Sequence, residues 1–326
     1  MMSKKIAVLG GGGFIGSHLS ERLIKEGNET VIVDLKKPEF RELLPGETYA
    51  QGDLRDRYIC DNLATQQFDE LHQLAADMGG AGWCFSGEND ADIMTNSAMI
   101  NINVLNALAK YSPQTRVFYS SSACAYSQHN QVDPNNPNCE ESSIYPADPD
   151  SEYGWEKLFS ERLYAAFARN KGLSVRVARF HNIYGAHGTW QGGREKAPAA
   201  LCRKVAMAQN GTSIDIWGTG QQTRSFLHVS ECVEGILRLM RSDFQGPVNI
   251  GSTEMVTIDE LARMIIDISD KKLSLNHIEG PVGVNGRCSD NRLIRQELGW
   301  EPTTKLMDFL PATYAWIDDM IALARG

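Results

Sequence analysis

No apolar stretch in the 326-residue chain approaches the roughly 20 residues that a membrane span requires. It has no CxxC pair, and its seven cysteines, at positions 60, 84, 124, 139, 202, 232 and 288, are scattered and odd in number. That pattern indicates neither a disulfide framework nor a thiolate zinc site, so reduced thiols and no metal are expected. Positive charge is also in deficit: 32 Lys and Arg against 41 Asp and Glu leave a net charge of −9. Such a balance argues against a broad nucleic-acid surface, although a few local cations and backbone N–H groups can still hold a small anion. Met1–Lys5 runs directly into the apolar Ile6–Leu9 with no signal-peptide pattern, so a soluble cytoplasmic protein without membrane attachment is expected. Internal repeats and low-complexity segments are lacking as well.

What is present reads as an ordinary globular chain, 42% hydrophobic and 22% charged, long enough for one large or two modest domains. The first half alternates short β-like runs with helical patterns. Ile6–Leu9 leads to a helix carrying Ile15, Leu19 and Leu23 and stopped near Gly27; Thr30–Val33, Glu70–Leu74 and Arg116–Tyr119 read as strands, and 97–110 as a helix. This rhythm predicts an α/β fold, a doubly wound parallel sheet of Rossmann type. A helix over 153–169 places Phe159, Leu163 and Phe167 on one stripe and ends at Gly172. Beyond residue 178 loops and prolines increase. Residues 1–178 are therefore expected to form a nucleotide-binding domain, joined by 226–250, with 179–225 and 251–326 forming a smaller α/β substrate domain.

The words IAVLGGGGFIGSHL give Gly10, Gly13 and Gly16 at three-residue spacing, straight after a strand and opening a helix, with Phe14 and Ile15 at the turn. Glycines there let backbone N–H groups approach a pyrophosphate at the positive end of the helix, although a plain flexible turn gives the same spacing. Asp34 ends the second strand about 20 residues later, where a carboxylate bonds the adenosine ribose hydroxyls. Its charge repels a 2′-phosphate and favours NAD over NADP; Lys36 and Lys37 weaken that preference. Asp53 either caps the adenine or caps a helix.

Tyr153 and Lys157 in YGWEK stand at i and i+4 on one helix face. An ammonium beside a phenol lowers the phenol's pKa from its usual value near 10, which suits proton exchange with a substrate alcohol. Ser122 in SSSACAYS would hold the same oxygen. The pair is common by chance and gains its meaning from the dinucleotide signature upstream.

Together these words, with VNIGS (248–252) and LGWEP (298–302), resemble the extended short-chain dehydrogenase/reductase family over essentially the whole chain. The resemblance implies action on a nucleotide sugar with bound NAD, and commonly a homodimer through a four-helix contact. Ala123 and Cys124 follow Ser122 where dehydratases of that family carry an Asp-Glu pair, so dehydration is not expected. A ketone made at C4 of a sugar acidifies the C–H bonds at C3 and C5, and inverting those carbons takes proton-transfer groups on opposite faces of the ring. Cys124 is one candidate, a thiol that ordinarily titrates near 8.5. Lys196 is the other, near a helix start at Pro198 where the dipole and burial depress an ammonium pKa. Read alone, Cys124 is a small buried hydrophobe and Lys196 a solvated surface lysine, and neither points to catalysis without the other.

The longer words AADMGGAG (75–82), SSAC (121–124), RFHNIYG (179–185), GTWQGGREKAPAALCRK (188–204), QTRSF (222–226) and GRCSDN (286–291) resemble the branch of that family that inverts C5 and C3 of GDP-mannose. The resemblance implies GDP-L-galactose and GDP-L-gulose as products, with Cys124 and Lys196 as the acid/base pair. It also implies substrate contacts at Gly82, Ser122, Ala123, Cys124, Asn182, Glu195, Lys196, Ala197, Lys204, Gln222, Thr223, Arg224 and Arg287. Lys204, Arg224 and Arg287 suit a diphosphate or a sugar. Ala125 and Ser127 depart from the family, which has a larger apolar residue and a proline at those positions, and the 127–151 loop departs further. An epimerase or epimerase-reductase acting on a related 4-keto or heptose nucleotide sugar is the alternative. A non-catalytic NAD sensor has no use for Ser122, Tyr153 and Lys157.

Overall fold

The computed structural model describes residues 3–325. Strands β1 (Lys5–Leu9), β2 (Glu29–Asp34), β3 (Glu47–Gln51), β4 (Glu70–Gln73), β5 (Arg116–Ser122) and β6 (Ser174–Phe180) and the strand Val248–Ile250 form one seven-stranded sheet. The order across it is 248–250, β6, β5, β4, β1, β2, β3, and every neighbouring pair is parallel. The central strands are buried almost throughout because helices cover both faces. Helices α1 (Phe14–Lys25) and α7 (Val229–Arg241) pack one face through Leu19, Leu23, Val233 and Ile236. Helices α2 (Arg57–Ala64), α4 (Asp90–Tyr111) and α5 (Glu152–Lys171) pack the other through Leu63, Val104, Leu105 and Tyr164, α3 being the single turn Ala81–Cys84. The strand order reverses between β1 and β4, which opens a crevice at the carboxyl ends of the strands, the place where open α/β sheets bind ligands.

Three local features differ from the sequence reading. The edge strand β3 is half exposed and polar, so it carries no apolar run to reveal it. Helix α4 begins seven residues earlier than expected, at Asp90, with acidic residues in its first turn. The stripe expected for α5 is also displaced: Phe159 is exposed, while Glu156, Lys157, Ser160 and Glu161 face inward. Helix α5 is capped by Ser151, whose hydroxyl accepts from the Gly154 N–H at 3.3 Å, and it ends on Gly172 at φ 72°. Most of its buried polar face is engaged by partners across α4 and β5, although Glu156 Oε2 is buried without a partner among the described residues. Asn101 reaches Glu156 and Ser160, and Lys157 Nζ donates to the Ser120 carbonyl at 3.0 Å. Polarity therefore faces the core here because the site grows from this face.

The rest of the chain builds beside the sheet. Strand Thr223–Ser225 lies between antiparallel Met255–Thr257 and parallel Gly286–Arg287, and Ser213–Trp217 pairs with Ser274–Ile278. Helix α6 (Ala197–Met207) and the helices Ile258–Ser269 and Leu306–Arg325 close a separate core around Val205, Leu261, Ile265, Leu310 and Ile317.

Residues 127–151 form a strap joining these parts. The Val132 carbonyl accepts from Asn285, Pro134 accepts from the Thr223 hydroxyl, and the Asn249 side chain donates to the Cys139 carbonyl. Beneath the strap, Arg179 pairs with Glu161 through two nitrogens at 2.9 and 2.8 Å, and Ser121 donates to the same carboxylate at 2.5 Å. Both charged side chains are almost wholly buried. Replacing Glu161 by Ala strands the Arg179 charge, and the loss expected in urea unfolding is about 3–5 kcal/mol.

Candidate active site

The glycine loop turns between β1 and α1 with its backbone bare. A Cβ added at Gly12 would overlap the Lys36 carbonyl oxygen, and one at Gly16 the Gly10 carbonyl oxygen. Gly10 sits at φ 78°, where a side chain is strained. Helix α1 starts at Gly13 with no side-chain cap and no acidic residue in its first turn, so its leading N–H groups are not satisfied by side-chain caps. Asp34 stands at the end of β2 and accepts from the Gly12 N–H at 3.0 Å. A cavity of about 270 Å³ opens beside Gly12, Gly13 and Phe14, walled by Lys36, Phe40 and His187. A glycine cradle, an uncapped helix start and a carboxylate at the second strand end fit the pyrophosphate and ribose of a dinucleotide. Asp53 is not the cap of α2, which is Asp56; its carboxylate is held by Arg55, at 2.6 Å from Nη2.

The proton-transfer candidates gather at the end of β5. Ser122 is the last residue of that strand, and its hydroxyl accepts from the Cys124 N–H at 3.2 Å, closing a single 3₁₀ turn over 123–125. Tyr153, in the first turn of α5, packs in a small cluster with Cys84, Ile93 and Cys124. Gly154 is what lets α5 come this close, since a Cβ there would overlap the Cys124 carbonyl oxygen.

Burial pushes the Tyr153 phenol well above its usual range, the nearby Cys124 and Cys84 add to this, and a hydrogen bond with Ser122 opposes it. The lowered phenol pKa expected from Lys157 is thus not found in the chain by itself. Lys157 Nζ lies 5.6 Å from the centre of the Tyr153 ring and gives a hydrogen bond to the Ser120 carbonyl, while burial depresses its own pKa. Desolvation outweighs the ammonium.

Lys196 is the N-cap residue of α6, with Pro198 in the first turn. Burial lowers its pKa, and Cys124 and Cys84 are near enough to raise it in part. The loop before it is laid on residues 77–84. Gly80 N–H donates to the Arg194 carbonyl at 2.9 Å, a Cβ at Gly80 would overlap the Glu195 carbonyl oxygen, and the Arg194 guanidinium stacks 3.5 Å from the Trp83 ring. Glu195 itself is engaged within the loop, accepting from Arg203 at 2.6 Å and from the Gly193 N–H at 2.7 Å.

Arg287 reaches into the same cluster. Its Nη1 meets the Cys124 Sγ at 3.0 Å, its Nε donates to Gln131 at 2.6 Å and its Nη2 to Asp150 at 3.2 Å. Burial works against its charge, but Cys124, Asp150 and Cys139 outweigh that and raise its pKa. Arg224 lies nearby and donates to the carbonyls of Thr223, Val282 and Val284; burial lowers its pKa to about 10.

Gln222, Lys204 and Gly82 collect instead around Trp217. Gln222 donates to the Trp217 carbonyl at 2.9 Å, Lys204 Nζ lies 5.7 Å from the ring, and a Cβ at Gly82 would stand 3.4 Å from it. Thr223 is tied to Pro134, and Asn182, at φ 39°, to the Ser225 carbonyl. Ala123 is buried and Ala197 half-buried at their element starts. His181 is a core residue, bonded to Asn249 at 3.0 Å and held to a pKa of about 3 by burial.

Sequence reasoning missed Gln131 and Asp150. Neither lies in a motif; only the partner they share, Arg287, could have pointed to them. It also gave no role to the Ser120 carbonyl, which a backbone atom cannot announce. A Gly12→Ala chain is expected to purify with less than about a tenth of the bound NAD of the parent, measured from the absorbance of nucleotide released on denaturation.

Residues 6–251 match the model of the NAD dependent epimerase/dehydratase family. The GDP-mannose 3,5-epimerase 1 of Oryza sativa subsp. indica is 48% identical over 321 residues, covering 97% of this chain and 82% of that protein. The GDP-mannose 3,5-epimerase of Arabidopsis thaliana is 47% identical over 319 residues, covering 97% and 83%. Among solved structures, the UDP-glucose 4-epimerase of Thermotoga maritima superposes with a TM-score of 0.86 at 24% identity, covering 97% of this chain and 99% of that one, a likeness of fold. The chain belongs to the NAD dependent epimerase/dehydratase family.

Proposed function

We propose that the protein is a GDP-mannose 3,5-epimerase, inverting C5 and C3 of the sugar to give GDP-L-galactose, and GDP-L-gulose when C5 alone is inverted. The observation that carries the reading is the packing of Tyr153 against Cys124 at the end of β5, with Ser122 bonded to the Cys124 N–H and Lys196 near enough for its charge to bear on the thiol. The relatives at 47–48% identity bear that name. An anionic substrate is supported by charge: among the described residues, none of Lys157, Lys196, Lys204 and Arg224 is paired with a carboxylate.

Gly10, Gly13, Phe14, Ile15, Gly16 and Asp34 would hold NAD, with Asp53, Tyr153 and Lys157 completing its site. The chemistry that bound NAD supplies is reversible oxidation at the sugar's C4. Tyr153 Oη takes up and returns the proton of the C4 hydroxyl, and Ser122 orients that oxygen. With C4 a ketone, a proton leaving C5 or C3 produces an enolate, and Cys124 and Lys196 remove and deliver protons on opposite faces of the ring. Lys196 suits this task because burial brings its amine toward the neutral form. Arg224, near the thiol, and Lys204 and Gln222, beside Trp217, would hold the diphosphate and base.

This assignment divides the chain into a cofactor part, 1–178 with 226–250, and a substrate part, 179–225 with 251–326. The seven unpaired cysteines favour the cytoplasm. A second copy of the chain suits the face of α4 and α5 that leaves Met99, Ile102, Trp155 and Phe159 exposed. Sedimentation velocity is expected to give a dimer, and Phe159→Glu to give monomers.

Turnover of GDP-mannose in heavy water is expected to place deuterium at both C3 and C5. Cys124→Ser is expected to cut that labelling by about 10²-fold or more with bound NAD retained. A product inverted only at C4 and free of label would overturn the reading.

A further inference from the structure

We propose that Asp150 is a positioning residue for the carbon-proton chemistry: with Gln131 it holds the Arg287 guanidinium against the Cys124 sulfur, without itself touching substrate. The inference rests on the epimerase reading for its substrate and on geometry for the rest.

Each outward nitrogen of Arg287 has a different partner. Nε is bound to Gln131, Nη2 to Asp150 and Nη1 to the Cys124 sulfur. A planar fork held at two corners has its third corner fixed, so the contact with the sulfur is determined from behind. Both tethers are rigidly placed. Gln131 is wholly buried, and its amide donates to the carbonyls of Tyr126 and Ser127 at 3.2 Å each. Asp150 immediately precedes Ser151, the cap of α5, so the helix that carries Tyr153 and Lys157 also sets the carboxylate.

The Asp150 side chain is 7% exposed, and its second oxygen, Oδ1, is buried with no hydrogen-bond partner among the described residues. A buried ion pair with an unsatisfied oxygen is a poor way to stabilise a fold, because apolar packing does as well or better. Its retention next to a thiol has a reason if the guanidinium must stand where the sulfur becomes charged. When Cys124 has given up its proton, the negative sulfur finds Nη1 already in contact, with no reorganisation.

The test uses the full chain with its bound NAD and two readouts: alkylation of Cys124 by iodoacetamide, resolved by residue with mass spectrometry, and deuterium uptake at C3 and C5 of GDP-mannose. Asp150→Ala, which removes the tether, is expected to slow Cys124 alkylation by about tenfold. It is expected to slow deuterium uptake by about 10²-fold, since misplacement of this order is that costly, with KM within about threefold of the parent. Asp150→Asn keeps an oxygen for Nη2 and is expected to recover both rates to within about fivefold. Alkylation at the parent rate in Asp150→Ala overturns the proposal, as does Asp150→Asn as impaired as Asp150→Ala, or loss of bound NAD together with activity. If Asp150→Ala does not fold, Gln131→Leu carries the same expectations and the same refutations. Absence of label from GDP-mannose in the parent chain would overturn the epimerase reading instead, and the alkylation rates would still decide the role of Asp150.

Discussion

The guanidinium of Arg287 touches a sulfur, an amide oxygen and a carboxylate supplied by two segments, the end of β5 and the strap, about 140 to 160 positions away in the chain. Cys124 belongs to the end of the sheet, Gln131 and Asp150 to the strap, and Arg287 to a short strand in the other half of the molecule. Everything the site does with a thiol requires these pieces to be assembled at once. The sheet supplies the fixed end, because β5 is central and its last residue, Ser122, shapes the turn that presents Cys124. The strap supplies the other end, through Gln131 and Asp150.

Electrostatics in the site are governed by exclusion of water before they are governed by neighbours. Burial drives Tyr153 upward and Lys157 and Lys196 downward, in each case toward the uncharged form. A site prepared this way holds its titratable groups largely uncharged, and a diphosphate-bearing ligand entering it would favour the protonated amines. The same exclusion explains why Lys157 does not govern the phenol in the chain alone. Its hydrogen bond goes to the Ser120 carbonyl, and that contact fixes α5 on β5 while keeping the ammonium near Tyr153.

Most of the sheet and the glycine cradle could be read from the sequence because they rest on short-range rules. Gly10, Gly13 and Gly16 answer to a backbone approach, Leu19 and Leu23 to a helical stripe, and Asp34 to the length of one βαβ step. Helix α5 was legible in extent but not in orientation. Its inward face is polar, so Phe159 on the apolar stripe marks an outer surface. The thiol and the amine were found through word-level resemblance, since no spacing rule links residue 124 to residue 196. Asp150 and Gln131 were illegible for a related reason: their meaning lies in a partner about 140 to 160 positions away, in a loop without periodicity.

The strap has a consequence for how such a site can change. Residues 131–139 are stitched to Asn285, Thr223 and Asn249, and a Cβ at Gly286 would press on the Asp133 carbonyl and the Pro134 backbone. Lengthening or shortening this stretch by a single residue shifts the register of every stitch, and with it the amide that steadies the guanidinium. Variation in the strap is therefore coupled to variation near residues 285–288. A chimera that exchanges one without the other is expected to inherit a sound sheet and a misaligned guanidinium.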